Sequence, residues 1–486
     1  MDALKKKASK AFLWDLVGNY GGQVIVFVIS IFLARLLSPE EFGLVGMAMV
    51  FIHILRVFAD FGFASALIQN RNNTHLIYSS VFYLNLIVGS LFTITLFFLA
   101  PLIGGFYKNH EVSILVQWLS PLFILSGFNI VQSAILKRQL AFKKISIILL
   151  ISQTISGGLA IFLAFKGYGI YALVIQQLLT AILNSFMLWK TAEWRPKFEF
   201  SMSELRRIIR FSSYIFFGQF FDQVFKQMDT LAVGKLFNPT TLGFYTRAES
   251  LNSLISKNSV TTFNRVFFPV LSKIHQDSEK FERVYFKVLD LVSIIAVFIT
   301  GLFFLVGKEL IIGLFGEQWY PSFAVFQVLV LKGFTYPINA LTVNTFLAQG
   351  KVKANFYFGN VRRVLQLFPL LVAYFYGFDY FLYAVVLLNV VIWLLNSYFV
   401  KVSMGFSFWN QIQKVLQYLF VVTLVVFTID RLFPSDLNYI IAMIKALIYL
   451  SASALFLIFT KSPIIEEFRR LFNMMKLTQK IDNSKK

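Results

Sequence analysis

Apolar residues along this chain fall into long runs of about 20 residues, separated by short polar segments. A run of this length suits a helix that crosses a bilayer, because each residue advances an α-helix by about 1.5 Å and the hydrocarbon core is about 30 Å thick. The pattern predicts fourteen membrane-spanning helices, at residues 12–37, 43–69, 78–101, 112–136, 145–165, 169–189, 211–237, 241–271, 288–306, 322–348, 354–375, 380–400, 415–433 and 438–460.

The amino-acid composition is that of a membrane protein, and it excludes several kinds of functional site. Of the 486 residues, 57% are hydrophobic and 14% are charged, whereas soluble domains carry about 25% charged residues. The chain has no cysteine, which excludes disulfides and cysteine-based nucleophiles or metal sites. Its four histidines are too scattered for a metal cluster. We predict no metal, no cofactor and no catalytic residue.

The basic residues predict the orientation. The net charge is +21, which we assign to basic cytoplasmic loops and not to a nucleic-acid partner. With both termini cytoplasmic, the inner segments carry 30 Lys and Arg, and the outer loops carry four, at Lys108, Lys166, Lys308 and Arg431. This asymmetry follows the positive-inside rule. The basic N-terminus resembles a signal peptide, but its apolar run continues to about Leu37, so we expect an uncleaved first helix.

The turn between the first two predicted spans, which we call the opening hairpin, has a second copy later in the sequence. Residues 36–44 (LLSPEEFGL) return as residues 236–244 (LFNPTTLGF), with Pro and Gly at the same places. Weaker matches follow at offsets of 209 and 210. We therefore predict an all-α polytopic membrane protein of about 14 transmembrane helices with two six-helix lobes, 1–190 and 211–400. Because six is even, the lobes share one orientation, and their pseudo-two-fold axis runs along the membrane normal.

The remaining segments are assigned by their composition. Residues 191–210 form a cytoplasmic linker, either an amphipathic helix or a plain basic segment. Two additional helices occupy residues 401–460, and residues 461–486 form a basic cytoplasmic tail.

Charged residues inside the spans are the candidates for function. Facing lipid, each would cost about 2.5–3.5 kcal/mol on the insertion scale, so they are expected to face water, a partner or substrate. The cations well inside spans are Arg56, Lys226, Lys257 and Lys332. Two cations nearer the span ends, Arg35 and Arg247, either contact substrate or snorkel to the surface. Three acids, Asp60, Asp222 and Asp229, are candidates for ion coupling or are simply counter-charges.

Helical spacing groups these residues into polar faces. The first span carries a stripe of Asp15, Asn19 and Gln23, and the eighth span carries Asn252, Lys257 and Asn258. Gln219, Asp222, Lys226 and Asp229 follow one another at helical spacing in the seventh span. This last group either lines a cavity or neutralises itself as an ion cluster. An embedded interior with excess positive charge predicts an anionic, phosphate-bearing lipid as cargo.

The opening of the chain resembles a known family. Gly18, Gly21 and Gly22, the segment 33–43 (LARLLSPEEFG) and the segment 59–69 (ADFGFASALIQ) are similar to the polysaccharide-exporter and O-antigen flippase family. That family belongs to the multidrug/oligosaccharidyl-lipid/polysaccharide exporter superfamily. The resemblance implies a V-shaped pair of lobes in the bacterial inner membrane.

The resemblance also implies a function. It implies alternating-access flipping of an undecaprenyl-diphosphate-linked oligosaccharide for O-antigen, capsule or exopolysaccharide biosynthesis. Proton or sodium coupling, and polymerase or co-export proteins as partners, are further implications of the family.

Two other functions are weighed against this one. A drug/cation antiporter of the same fold should have an acidic cavity, whereas the embedded charge here is mostly basic. A membrane glycosyltransferase, polymerase or ligase needs a sizeable outer loop, whereas the longest predicted here has about 16 residues. We therefore predict a transporter and not an enzyme.

Overall fold

The structure of the protein is a computed structural model. It describes residues 2–70, 73–433 and 438–459, and it gives the backbone alone for residues 2–9, 207, 210–211, 214–215 and 254–270. Within the described residues the regular structure is helical throughout. The long apolar runs thus form helices, in which every backbone N–H and C=O along the span can be satisfied without water.

Eighteen α-helices lie within these ranges. They are α1 (Asp2–Leu36), α2 (Pro39–Asp60), α3 (Phe63–Gln69), α4 (His75–Tyr107), α5 (His110–Leu119), α6 (Leu122–Arg138), α7 (Phe142–Phe165), α8 (Tyr171–Thr191), α9 (Met202–Leu236), α10 (Pro239–Lys273), α11 (Ser278–Phe315), α12 (Tyr320–Val330), α13 (Thr335–Ala348), α14 (Val352–Leu365), α15 (Phe368–Tyr376), α16 (Phe378–Met404), α17 (Phe408–Leu432) and α18 (Tyr439–Phe459).

Each predicted span falls on one helix or on a consecutive pair of helices. Four spans are interrupted, at the α2–α3, α5–α6, α12–α13 and α14–α15 junctions. At the first junction Phe61 and Gly62 both adopt left-handed backbone conformations, with φ of 44° and 73°. Pro121 stands at the second junction, where a residue without an N–H interrupts the helical hydrogen bonds. The sequence predicted these spans but not their breaks.

The helices are long and apolar enough for a multi-pass membrane protein. Ten helical segments of the described residues could cross a bilayer, or eleven if the bent pair Glu317–Val330 and Thr335–Ala348 counts as one span. The polytopic all-α fold is therefore confirmed, while the count of fourteen stays a prediction. Neither α9 nor α10 is among the ten, although these two helices carry several of the predicted site charges, including Lys226, Asp229 and Arg247.

Several helices of the second half of the chain begin at a fixed offset from helices of the first half. Helices α1 and α9 each contain 35 residues. Helices α2 and α10 begin at Pro39 and Pro239, 200 residues apart. Later the offset is 210: α5 and α12 begin at residues 110 and 320, and α7 and α14 begin at residues 142 and 352. The interrupted helix pair α5–α6 thus has its counterpart in α12–α13.

Both copies of the hairpin turn are closed by an N-cap. The Ser38 hydroxyl accepts a hydrogen bond from the Glu41 backbone N–H (3.3 Å), and the Glu41 carboxylate accepts one from the Ser38 N–H (2.7 Å). In the second copy the Asn238 side chain accepts from the Thr241 N–H at 2.7 Å. These bonds satisfy N–H groups that a helix start leaves without an intrahelical partner.

The chain divides into two compact units, residues 1–246 and 247–486, with the boundary inside α10. In the first unit α1 packs on α7, where Gly18 lies against Ser146 and the Ser146 hydroxyl donates to the Trp14 carbonyl at 2.6 Å. The predicted lobes, 1–190 and 211–400, describe internal repetition and stay a prediction. The predicted linker continues without a break into α9 from Met202 onward.

In the second unit α11 carries the additional helix α17. Tyr285 donates to the Gln411 side chain at 2.9 Å, and Tyr418 donates to Asp290 at 2.7 Å. Lys414 lies 3.3 Å from the same Asp290 carboxylate. A hydrophobic cluster from α11, α13, α16, α17 and α18 surrounds these bonds. The polar contacts therefore fix the register of α17 along α11.

Candidate functional site

Helix α2 carries two of the predicted site charges, Arg56 and Asp60. Arg56 is exposed, and Asp60 is half-buried at the C-terminal end of the helix. The Asp60 carboxylate accepts a hydrogen bond from the Ala64 N–H at 3.3 Å, across the break between α2 and α3. Arg56 and Lys137 both act on Asp60 electrostatically. Asp60 therefore has a structural task at the break and also lies beside two cations.

Helix α9 presents its polar residues mostly outward. Gln219, Asp222 and Lys226 are exposed, and Asp229 is half-buried. Asp229 accepts a hydrogen bond of 3.4 Å from the hydroxyl of Tyr245, which is buried in α10. Asp229 thus helps to hold α9 against α10 in the first unit. Lys226 remains an accessible cation within a predicted span.

The polar stripe on α1 contains one hydrogen-bonded pair. The Asn19 amide donates to the Asp15 carboxylate at 3.0 Å, and Asn19 and Gln23 are exposed. Asp15 and Asn19 are four residues apart, so they lie on one face of the helix. Arg35, near the end of the same helix, is exposed as well.

Arg247 lies among aromatic rings in the second unit. Its guanidinium carbon is 5.0 Å from the centre of the Phe315 ring and 5.3 Å from that of Trp319. The side chain is 7% exposed, and Trp319 is fully buried. Ring faces attract a cation at these distances. The structure thus buries Arg247 instead of letting it reach the surface.

Lys332 lies at the break between α12 and α13 and is 3% exposed. Its ammonium nitrogen is 3.0 Å from a carboxylate oxygen of Glu249 on α10. The buried Asn252 amide donates to the same oxygen at 3.4 Å. Two predicted site residues, Lys332 and Asn252, therefore meet at Glu249, which was not among the site candidates. The other two candidates on α10, Lys257 and Asn258, lie outside the described side chains.

A cavity of about 590 Å³ lies at the ends of α4, α6, α7 and α8 on the predicted cytoplasmic side. Its lining includes two cations, Arg138 and Lys144, one acid, Glu193, and the rings of Tyr78 and Trp194. Arg138 donates to the Tyr78 hydroxyl at 2.9 Å. The cations and rings can contact a phosphate and a sugar ring, whereas the Glu193 carboxylate in the same lining repels an anion. The sequence did not reveal this cavity, because Arg138 and Lys144 lie in the predicted loop between the fourth and fifth spans and stand out there only as loop charges.

A family described as polysaccharide biosynthesis protein matches residues 32–324, which is more than half of the chain. The chain belongs to this family. The family resemblance inferred from the opening hairpin is thereby confirmed.

Two relatives of this polysaccharide biosynthesis protein have informative names. The succinoglycan biosynthesis transport protein ExoT of Rhizobium meliloti is 26% identical over 67% of this chain and 66% of its own length. The lipopolysaccharide biosynthesis protein WzxC of Escherichia coli is 24% identical over 76% of this chain and 75% of its own length.

Solved structures share the fold. The lipid II flippase MurJ in its inward closed conformation has a TM-score of 0.73 and 16% identity, covering 93% of this chain and 100% of its own. An inward-facing MATE multidrug transporter of the MOP superfamily has a TM-score of 0.62 and 16% identity, covering 79% of this chain and 94% of its own. At these identities the likeness concerns the fold alone.

Proposed function

We propose that the protein flips an undecaprenyl-diphosphate-linked oligosaccharide across the bacterial inner membrane by alternating access, for surface polysaccharide biosynthesis. The observation that carries the proposal is the family match over residues 32–324. A relative named as a succinoglycan transport protein and the fold shared with a lipid II flippase both support it. In this proposal the chain moves its substrate and performs no bond chemistry.

The diphosphate contacts are assigned to Arg56 and Lys226. Both are exposed cations in the first unit, within the predicted spans 43–69 and 211–237. An exposed cation at that depth is stable only beside water or an anion, and a diphosphate supplies an anion. Arg offers a bidentate fork and Lys a point charge to such oxygens. Arg35 is a further contact nearer the end of its helix. Lys257 stays a candidate from the sequence.

The other polar residues are assigned supporting tasks. Asp222 provides counter-charge or ion coupling near Lys226, and Asp60 does so near Arg56. Asp15, Asn19, Gln23 and Gln219 keep a water-filled path polar. Both termini are cytoplasmic, and a polymerase or co-export protein receives the flipped product.

The test is flipping in proteoliposomes that contain a fluorescent undecaprenyl-diphosphate oligosaccharide, followed by its exposure to an impermeant quencher. We expect Arg56→Gln and Lys226→Gln to slow flipping by about tenfold or more, since one charge-assisted hydrogen bond is worth about 1.5–3 kcal/mol. Lys166→Gln, which removes an exposed charge beyond α7, is the matched control and should flip at the wild-type rate.

Two results would contradict the assignment. Wild-type rates in both span variants would remove Arg56 and Lys226 from the substrate site. Transport of a quaternary-ammonium drug by the wild-type protein, without lipid flipping, would replace the flippase with a drug antiporter.

A further inference from the structure

A second polar cavity, of about 250 Å³, lies in the unit 247–486 among α11, α12, α17 and α18. It is built from the C-terminal ends of α11 and α17 and the N-terminal ends of α12 and α18. Its charged lining consists of Lys308, Glu309, Asp430 and Lys445. None of these residues belongs to the substrate site proposed above.

The buried carboxylate of Glu309 is the notable group in this cavity. Glu309 is 7% exposed, and it has neither an ion pair nor a hydrogen bond with any residue that the structure describes. A carboxylate removed from water is costly unless hydrogen-bond donors or a cation compensate it. A molecule bound in the cavity beside Glu309 could supply such a donor or cation.

The other acid of the cavity is already compensated. Lys445 is 2% exposed, and its ammonium lies 3.3 Å from the Asp430 carboxylate. Because this buried ammonium repels a metal cation, a bare ion at Glu309 is disfavoured. The volume also exceeds the room that a single water needs by more than tenfold. A polyatomic ligand with both signs of charge therefore fits the lining better than an ion.

The end of the apolar run in α11 predicts that the cavity lies at the level of lipid head groups. Lys308 and Glu309 follow the apolar run 288–306 after one glycine, Gly307. Glu309 lies six residues, about 9 Å, before the end of α11. The outer faces of α17 and α18 next to the cavity are apolar and exposed, with Phe427 58%, Ile440 70% and Met443 66% accessible. The acyl chains of a lipid bound in the cavity could pack against these apolar faces.

We propose that this cavity binds the head group of a zwitterionic phospholipid of the ethanolamine type. The primary ammonium donates hydrogen bonds to Glu309, and the phosphate lies toward Lys308 and Lys445. A choline head group has the same charges but no N–H donors, and a glycerol head group has no cation. The proposal therefore predicts discrimination among three common phospholipids.

The test is lipid binding to the purified, delipidated full chain, measured by native mass spectrometry with phosphatidylethanolamine, phosphatidylcholine and phosphatidylglycerol. We expect wild type to bind the ethanolamine lipid about tenfold or more tighter than the choline lipid, the worth of a charge-assisted hydrogen bond. Glu309→Gln should abolish that difference. Glu317→Gln, at an exposed glutamate in the following turn, should retain it.

Two further experiments address a variant that fails to fold and a metal ion as the alternative ligand. If Glu309→Gln does not fold, Lys308→Gln serves as the second variant, and it should weaken the ethanolamine and choline lipids equally through the shared phosphate. An unchanged ethanolamine preference in folded Glu309→Gln would overturn the proposal. Thermal stabilisation by sodium over choline chloride in lipid-free wild type, lost in Glu309→Gln, would overturn it in favour of a metal-ion site.

Discussion

Lys332 illustrates how the fold handles a charge that the hydropathy pattern marks as costly. The sequence identifies the cost, because Lys332 lies well inside the predicted span 322–348. The partner comes from Glu249, 83 positions earlier in the chain, at 3.0 Å. Hydropathy is a local property, whereas this contact depends on how α10 packs beside the break between α12 and α13. The charge was therefore predictable and its partner was not.

Removing the two partners should have unequal effects. Lys332 is 4% exposed at the side chain and Glu249 is 29% exposed. We expect Glu249→Leu to destabilise by about 3–5 kcal/mol, because it removes the carboxylate beside a buried ammonium. Lys332→Met should cost less, because Glu249 keeps some contact with solvent and the Asn252 hydrogen bond.

Thermal unfolding of the purified protein in detergent measures this order. Glu279→Leu, at an exposed glutamate of α11, is the control and should stay near the wild-type midpoint. The double variant Glu249→Leu/Lys332→Met should be more stable than Glu249→Leu alone. A larger loss from Lys332→Met than from Glu249→Leu would contradict the argument.

At the scale of elements, the two hairpin turns pack against each other reciprocally within the unit 1–246. A Cβ on Gly43 would collide with the Pro239 carbonyl oxygen, and a Cβ on Gly243 would collide with that of Pro39. Both glycines are in helices, so close backbone approach is the requirement here and not an unusual φ. The repeated Pro and Gly were visible in the sequence. Their contact was not, because repetition says nothing about which copies touch.

Alanine at either glycine should disturb this packing. We expect Gly43→Ala and Gly243→Ala each to lower stability by about 1–3 kcal/mol, the usual cost of overpacking. Gly158→Ala is the matched control, because a Cβ on this helical glycine meets nothing within 4 Å. It should be neutral or stabilise by up to about 1 kcal/mol through helix propensity.

Fluorescence-detected size exclusion after heating gives the midpoints for these variants. A loss in Gly158→Ala equal to those in Gly43→Ala and Gly243→Ala would mean that any alanine in these helices disturbs the protein. In that case the reciprocal contact would carry no special weight.

For the whole molecule, the distribution of basic residues predicts which side of the membrane each loop lies on. The inner segments carry 30 basic residues and the outer loops four. The structure confirms long apolar helices in the described ranges. The side on which each loop lies remains a prediction from charge, because it is set during insertion by basic residues near the helix ends.

Single-cysteine labelling tests this orientation, and the chain has no cysteine of its own to remove. Lys166 and Lys190 are both exposed, near the end of α7 and the end of α8 respectively. We expect an impermeant maleimide to label Lys166→Cys in intact spheroplasts. It should label Lys190→Cys only after permeabilisation. The reverse pattern would invert the topology.

The sequence alone determined that the protein belongs in a membrane, where its helical segments lie, and that the opening hairpin sequence recurs. These follow from local hydropathy and from repetition, which need no knowledge of contacts. The depth of the charged residues in the membrane stays a prediction. Tertiary packing decided that Arg247 lies over Phe315 and Trp319, that Lys332 pairs with Glu249, and that Glu309 faces a cavity. Glu309 looked like a loop residue because the apolar run ends at residue 306, but α11 continues to Phe315. Partners and cavities arise between segments distant in sequence, so only the packed helices could reveal them.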